Sequence, residues 1–349
     1  MKGLLKYLSP FAPDQSGAVS VFYELGGITV ICDAGGCTGN ICGFDEPRWF
    51  LKKSALFSAG LRDMDAILGR DDRLVEKLKD AADRLDGKFA ALIGTPVPAV
   101  IATDFRALKR MAKKRCGLPV MTVECTGTRM YDRGAQDAYL ELFGTFADKE
   151  ARPEAGARIA GVIGVTPLDV SHVRADRIIG ERLRACGYDE VYCYGMGSGL
   201  EEVKKAGCAE KNIVVSPAGI QAARYLQQEF GTPYETAYPM LREELREKLH
   251  GLAGKNVLVI HQQIAANEIR REIRDAASVV CATWFMQLPE YRQPQDVVFE
   301  KEEEMTDFVE KGNFDVIIGD QMLRRALKGF DGAWIHVPHF AVSGEYEDD

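Results

Sequence analysis

From about residue 85 onward, short β-branched runs alternate with runs whose apolar positions recur at helical spacing. The first kind predicts strands at residues 28–31, 89–93, 119–124, 158–165, 190–194, 212–215, 256–261, 278–283, 314–318 and 333–336. The second predicts helices over residues 105–115, 175–186, 200–206, 220–230, 241–252, 264–274, 302–311 and 321–327. Strands separated by amphipathic helices are the pattern of parallel sheets with helices on their faces. Two polar breaks, residues 147–156 and 251–255, each precede a new strand. They divide the chain into α/β units at 1–150, 151–252 and 253–349, with no low-complexity tract and no fixed-period repeat.

Composition adds exclusions. With 46% hydrophobic and 28% charged residues the chain is neither disordered nor fibrous. The net charge is −8, and the one basic cluster (Lys109, Arg110, Lys113, Lys114, Arg115) falls on a helical pattern beside apolar positions. It reads as a solvated helix face, so no nucleic-acid partner is expected. No apolar run reaches the roughly 18 residues of a membrane span. The first residues, Met1-Lys2-Gly3-Leu4-Leu5-Lys6, are too poor in apolar residues for a secretory leader. A cytoplasmic location is the expectation, and nine cysteines there do not form a disulfide framework.

The chemistry of open α/β sheets collects at the carboxyl ends of strands. Four places qualify: residues 32–42 after the strand at 28–31, Cys125 after 119–124, residues 195–199 after 190–194, and His261 at the end of 256–261. The first is the most distinctive. Cys32, Cys37 and Cys42 stand at five-residue intervals in a loop containing Gly35, Gly36, Gly39 and Gly43. That spacing does not place three thiols on one helix face, but a loop can curl them around a centre. Glycines let backbone N–H groups approach a bound anion, such as a thiolate-ligated cluster. The spacing is neither that of a zinc ribbon nor that of bacterial ferredoxins. A glycine turn with incidental buried thiols, or a redox-sensing thiol pair, would give the same string. Cys125, in Val123-Glu-Cys-Thr-Gly127, is a plausible fourth thiolate. Cys116, Cys186, Cys193, Cys208 and Cys281 read as structural.

Other features are plainer. Tyr194-Gly-Met-Gly-Ser-Gly199 follows a strand and opens a helix, where it can cradle an anion or simply pack a turn; it does not fit the dinucleotide fingerprint. Phe44-Asp-Glu-Pro-Arg-Trp49 reads as a helix start with Asp45 as its cap, or as part of a docking surface. His172 and His250 are expected at the surface. Residues 300–304 read as a solvated helix start and residues 345–349 as a frayed acidic tail.

The stretch Gly35-Gly-Cys-Thr-Gly-Asn40, followed later by Val123-Glu-Cys-Thr-Gly127, resembles nitrogenase component 1. So do Asn212-Ile-Val-Val-Ser216 with Phe230-Gly-Thr-Pro-Tyr234, Val257-Leu-Val-Ile260, and Phe314-Asp-Val-Ile-Ile-Gly319. The family includes the molybdenum–iron protein subunits, their scaffold relatives and the dark-operative protochlorophyllide reductase subunits. The resemblance implies three Rossmann-like parallel-sheet α/β/α domains around a central cleft. It implies an iron–sulfur cluster at a subunit interface, with Cys37 and Cys125 at matching positions. The family's more N-terminal cluster cysteine would fall near residues 9–11, where there is none, so Cys42 or Cys32 would replace it. A [4Fe-4S] cluster bound by Cys37, Cys42 and Cys125 is expected, with Cys32 as a further candidate and a larger cluster as the variant.

The middle-domain position of the nitrogenase catalytic cysteine reads Val215-Ser-Pro-Ala-Gly219, without a thiol, and His339 stands one position from the family's C-terminal histidine. Dinitrogen reduction is therefore not expected. The resemblance implies reduction of a small molecule or a tetrapyrrole in the cavity between the domains. Electrons would come from a separate ATP-dependent iron–sulfur reductase, because this chain has no P-loop. The partner subunit would be a second copy or a related component 1 chain. The alternatives are an assembly scaffold for a metal cluster and a corrinoid or metal-chelate binding protein.

Overall fold

The computed structural model describes residues 5–152 and 156–348. Residues 1–4, part of the stretch weighed as a secretory leader, residues 153–155 of the first polar break, and the last residue of the acidic tail lie outside the described residues. Three wholly parallel sheets carry the fold. The first has β1 (Ile28–Ile31), β2 (Ala55–Ser58), β3 (Ala90–Ile93) and β4 (Val120–Val123) in the order β2-β1-β3-β4. The second has β5 (Ile159–Ile163), β6 (Glu190–Cys193), β7 (Lys211–Val214) and β8 (Tyr234–Thr236) in the order β6-β5-β7-β8. The third has β9 (Asn256–Ile260), β10 (Ser278–Thr283), β11 (Val297–Val298), β12 (Val316–Gly319) and β13 (Ala333–His336) in the order β11-β10-β9-β12-β13.

In each sheet the first strand in the chain lies inside, with its successors on both sides. The connection reverses direction beside β1, β5 and β9, and the loops leaving those strands open into the crevice where parallel sheets bind ligands. The cysteine loop leaves β1, the loop carrying Asp169 leaves β5, and His261 leaves β9. Central strands of such sheets are covered on both faces and read as continuous apolar runs. β1, β3 and β5 are buried along their whole length.

The first sheet is tied to the other units by two helices that cross closely, Asp14–Phe22 and Tyr131–Phe146. At the crossing a Cβ on Gly17 would lie 1.8 Å from the Tyr131 carbonyl oxygen, and one on Gly134 would lie 1.8 Å from the Asp14 carbonyl oxygen. Only glycine permits this approach. The crossing fixes the start of both helices, and both starts matter for the site.

Several expectations about individual residues are corrected by tertiary contacts. His172 is buried, with its Nδ1 accepting from the Arg174 N–H. Glu302 is not a solvated helix-start residue: it is buried and accepts from the backbone N–H groups of Lys6, Tyr7 and Leu8. The acidic tail is held, because the Glu347 N–H donates to Ser171 and its carbonyl accepts from Val173. Glu46, rather than Asp45, caps the short helix Pro47–Phe50, its carboxylate accepting from the Arg48 N–H. Among the described residues no helix is long and apolar enough to cross a membrane.

Candidate cysteine site and adjoining cavity

Alternation along β1 decides where the thiols go. Ile28, Val30 and Cys32 face one core with Leu74, Leu92 and Leu108, while Ile31 faces another with Met121, Val123 and Cys125. Cys32 is 1% exposed, and burial together with the Asp33 charge pushes its thiol up to about 12. It is walled off on the opposite face of the sheet from Cys125. The structure does not bring it to the other thiols.

Beyond Cys32 the chain turns outward. Asp33 is buried and organises the turn: its carboxylate accepts from the Thr38 N–H at 2.8 Å, the Thr38 hydroxyl at 3.1 Å and the Ser58 hydroxyl at 2.6 Å. Gly35, at φ +119°, reverses the backbone so that the short helix Gly36–Asn40 can begin. Cys37 lies in that helix and Cys42 in the following π-turn Ile41–Asp45; both are partly exposed. Cβ atoms on Gly35, Gly36, Gly39 and Gly43 would meet nothing within 4 Å. The outer face of the loop is therefore bare backbone, open to a large neighbour.

Cys125 leaves β4 along the same carboxyl edge, separated from the cysteine loop by Gly94 and Thr95 after β3. A Cβ on Gly94 would meet the Cys125 backbone at 2.7 Å, and the Thr95 hydroxyl donates to the Cys32 carbonyl at 2.8 Å. Asp14 holds the Cys125 loop, accepting from Thr126 N–H, Gly127 N–H and Arg129 Nε at 2.8–2.9 Å. Burial raises all three thiols of this edge: Cys37 with help from Asp33, Cys42 with help from Glu46, and Cys125 with help from Asp14 against the Arg129 guanidinium. In the bare chain near neutral pH they are protonated thiols, and a bound metal would displace their protons.

Arg48 anchors the segment behind Cys42. Its guanidinium is fully buried and spends every donor. It makes a bidentate pair with Glu46 at 2.7 Å and donates to Glu24 at 3.0 Å, to Ser20 O and Oγ at 2.7 and 2.9 Å, and to Gly195 O at 2.7 Å. Glu24 in turn accepts from the Gly197 N–H at 3.1 Å. The Tyr194–Gly199 loop thus serves as the middle unit's attachment to the cysteine segment. Its glycines accommodate packing: a Cβ on Gly197, at φ +80°, would lie 2.4 Å from Asp176.

Beside Cys42 opens a cavity of about 770 Å³, lined by residues 9–13, Gln15, Asn40, residues 43–47, Phe50, Gly127 and residues 340–344. It lies between the first and third units. Its walls include the rings of Phe11, Phe44, Phe50 and Phe340. Gln15 is 5% exposed, and its Oε1 has no hydrogen-bond partner. At the junction of all three units, by contrast, packed rings of Tyr131, His261, Phe285 and His339 fill the space. The apolar side chains Phe44 and Phe50, each 74% exposed, continue onto the surface with Leu51, and Ile67 and Val100 lie exposed on the short helices Asp63–Leu68 and Pro96–Val100.

No cluster of three or more His, Cys, Asp or Glu side chains poised to hold a metal exists among the described residues. Among the described residues the thiols of one chain are not gathered into a metal-ready cluster. The donor chemistry nevertheless fits half of one: two thiols on an open glycine-rich loop, with a third beneath. Asp14, Asp33 and Arg48, which shape the site, are not singled out by sequence pattern. Only Asp33, directly after Cys32 at a strand end, carries a local signal.

The family model for nitrogenase component 1 type oxidoreductases matches residues 16–280. The nitrogenase iron-molybdenum cofactor biosynthesis protein NifE of Bradyrhizobium diazoefficiens is 24% identical over 191 residues, covering 51% of this chain and 32% of that protein. A light-independent protochlorophyllide reductase subunit from Synechococcus sp. (strain JA-3-3Ab) is 23% identical over 184 residues, covering 49% of this chain and 36% of that protein. The chain thus aligns with about a third of the length of these relatives. The solved structure of nitrogenase Cp1 at pH 6.5 superposes with a TM-score of 0.71 at 12% identity, covering 97% of this chain and 87% of that one. Similarity at that level establishes the shared α/β fold. With the family model spanning most of its length, this chain belongs to the nitrogenase component 1 type oxidoreductases.

Proposed function

We propose that the chain is a cytoplasmic, nitrogenase-like reductase subunit whose Cys37, Cys42 and Cys125 offer thiolates to an iron–sulfur cluster shared with a partner subunit. The observation that carries this reading is the position of Cys37 and Cys42. They are partly exposed on an unobstructed glycine loop, at the reversal point of the first sheet and beside the 770 Å³ cavity. Three thiols from each of two chains more than supply the four thiolates that a [4Fe-4S] cubane takes. The exposed rings of Phe44 and Phe50 beside them provide apolar surface for the partner, a second copy or a related component 1 chain. Cys32 stays outside the donor set because it is enclosed on the far face.

Such a cluster, when bound, supplies one-electron transfer. The chain's own residues do the rest. Asp33 and Asp14 hold the two thiol-bearing loops, Arg48 fixes the Cys42 segment to the middle unit, and the rings of Phe11, Phe44, Phe50 and Phe340 offer apolar surface to a planar guest. The guest is a small reducible molecule or a tetrapyrrole, and an ATP-dependent iron–sulfur reductase is the electron source. The test is anaerobic purification with iron and sulfide counted per chain. A brown protein that loses its dithionite-bleachable absorption in Cys37→Ala agrees with the reading; a chain that stays colourless and iron-free after anaerobic reconstitution overturns it.

A second reading, a scaffold that holds a precursor cluster without turnover, draws on the likeness to a cofactor biosynthesis protein and on the missing thiol at residues 215–219. Release of the bound iron to an acceptor protein, without substrate reduction when the reductase and ATP are supplied, distinguishes it.

A further inference from the structure

One buried titratable cluster is not used by the cysteine site. Tyr131 comes from the first unit, Asp169 from the second and His339 from the third. The Tyr131 hydroxyl lies 2.8 Å from Asp169 Oδ1 and 3.0 Å from His339 Nε2. The His339 ring stacks on His261 with centroids 4.4 Å apart and planes 10° from parallel. Asp169, Tyr131, His261 and His339 are at most 2% exposed. The state of His261 is fixed by its neighbours: its Nδ1 accepts from the Gln262 N–H at 2.9 Å, so its proton sits on Nε2, 3.2 Å from the Pro338 carbonyl.

A hydroxyl has one proton and here stands between two partners. With Asp169 ionised, Tyr131 donates to the carboxylate and accepts from an Nε2–H of His339. With Asp169 protonated, the carboxyl donates to the Tyr131 oxygen and the hydroxyl turns to His339 Nε2. The neutral imidazole must then carry its proton on Nδ1. One proton from water, bound at His339 Nδ1 while the Nε2 proton passes to the Tyr131 oxygen and the tyrosine proton to Asp169, thus reverses the whole chain of bonds, and no electron moves.

We propose that Asp169, Tyr131 and His339 form a proton-binding relay at the meeting point of the three units, which takes up a proton when negative charge arrives in the neighbouring cavity. The relay lies directly behind the cavity wall. Phe340, which follows His339, lines the cavity, as do Phe11, Ala12 and Ala341. The Tyr131 N–H donates to the Ala12 carbonyl and the Ala12 N–H to the Ala341 carbonyl, each at 3.0 Å. The Phe285 ring contacts Phe11, Tyr131 and His339. Neutralising a buried carboxylate there removes a negative charge that would oppose an arriving electron. The purpose rests on the reading of the cavity as the place of reduction; the relay itself does not.

Burial pushes Asp169 up to about 7, against the opposing hydroxyls of Ser216, Tyr131 and Thr166 and with help from the Asp132 charge. The other groups around the relay are Tyr139 on the Tyr131–Phe146 helix and Tyr238 from the segment after β8, both of which feel the Asp169 charge, His261 stacked on His339, and Asp320, which accepts from the His339 N–H. Burial lowers His261 to about 4 and holds His339 well below its ordinary value, so both stay neutral while Asp169 titrates.

The test is imidazole ¹⁵N NMR of the metal-free chain from about pH 5.5 to about pH 8.5, spanning the range in which histidine environments usually titrate. The expected result is a change of His339 from the Nε2–H to the Nδ1–H tautomer as pH falls, with a midpoint of about 7 and no change at His261. In Asp169→Asn the amide donates to Tyr131 at every pH, so His339 stays Nδ1–H throughout. In Tyr131→Phe its tautomer no longer follows pH. A single His339 tautomer across the range in the native chain, or a pH-driven change that survives Tyr131→Phe, overturns the relay. Because no cluster or substrate is needed, a negative result leaves the iron and sulfide counts free to decide the proposed function separately.

Discussion

Replacing Arg48 by methionine removes a charge that three parts of the molecule share. Glu46 is 2% exposed and makes a bidentate bond to Arg48, so the substitution strands a carboxylate in the interior. Breaking one side of a buried pair costs about 3–5 kcal/mol, more than the hydrogen bonds alone, because the remaining charge is left without its partner. The carbonyls of Ser20 and Gly195 also lose a charged donor. A chain of 349 residues that unfolds as one unit has an unfolding entropy of roughly 0.7 kcal/mol per kelvin. The expected fall in Tm is therefore about 4–7 °C. Calorimetry reads it directly. The double variant Arg48→Met with Glu46→Gln supplies the control: with no stranded charge it should recover more than half of the loss. The anchor also predicts a local effect. Freed from Gly195, the Cys42 segment should open more often, and Cys42 alkylation should quicken several-fold while Cys193 does not change. A Tm within about 1 °C of the native chain, or a double variant no better than the single one, would refute the idea that charge pairing holds this segment.

Further outcomes follow from the same geometry. Gly17→Val should fail to fold or lose more than about 3 kcal/mol in urea titration, because its Cβ would enter the Tyr131 carbonyl, whereas Gly36→Ala, with nothing within 4 Å, should stay within about 0.5 kcal/mol. Glu24 is held below its ordinary value of 4.5 by Arg48 and Lys52 against the cost of burial. Its contribution is therefore present above that pH and lost as pH falls through and below it, and Glu24→Gln should flatten the acid limb of a stability–pH curve. In the metal-free chain Cys37 and Cys42 should react with iodoacetamide slowly at pH 7 and faster as pH rises past 9, while Cys32 and Cys125 react only after unfolding, as mass spectrometry of the labelled peptides would show. Phe50→Lys should shift the molecule toward the monomer in sedimentation velocity if that ring faces a second copy.

The strands of all three sheets were legible wherever burial on both faces made an apolar run, as at residues 90–93 and 256–260. The helix Asp14–Phe22 was not. All nine of its residues are buried, so it has no polar face and no 3.6-residue alternation to read. The helix Tyr131–Phe146 is interrupted in pattern by Gly134, whose reason is a carbonyl on another helix. The edge strands β2, β8 and β11 are short and half-exposed, which leaves little signal. Cys37, Cys42 and Cys125 stood out in the sequence because they follow strands. Asp14, Glu302 and His172 were misjudged or missed because their partners lie more than a hundred residues away, at Thr126, Lys6 and Glu347.

The two polar features of the molecule are placed by one rule. Each sheet reverses direction beside its first strand, and each reversal leaves a loop with unsatisfied geometry that polar or reactive residues can occupy. In the first unit that loop turns outward and carries thiols. In the second the loop turns inward with Asp169, and in the third His261 turns inward to stack on His339, which follows the edge strand β13; the start of the Tyr131–Phe146 helix closes the junction with a hydroxyl. The cavity lies between these two outcomes, with Gly43 on one wall and Phe340 on the other. A substitution that moves the Asp14–Tyr131 crossing therefore disturbs both at once, since Asp14 holds the Cys125 loop and Tyr131 holds the relay. Gly134→Ala, whose Cβ would strike the Asp14 carbonyl, should both raise the alkylation rate of Cys125 and uncouple the His339 tautomer from pH in any fraction that folds. Loss of one without the other would mean that the two sites are supported independently.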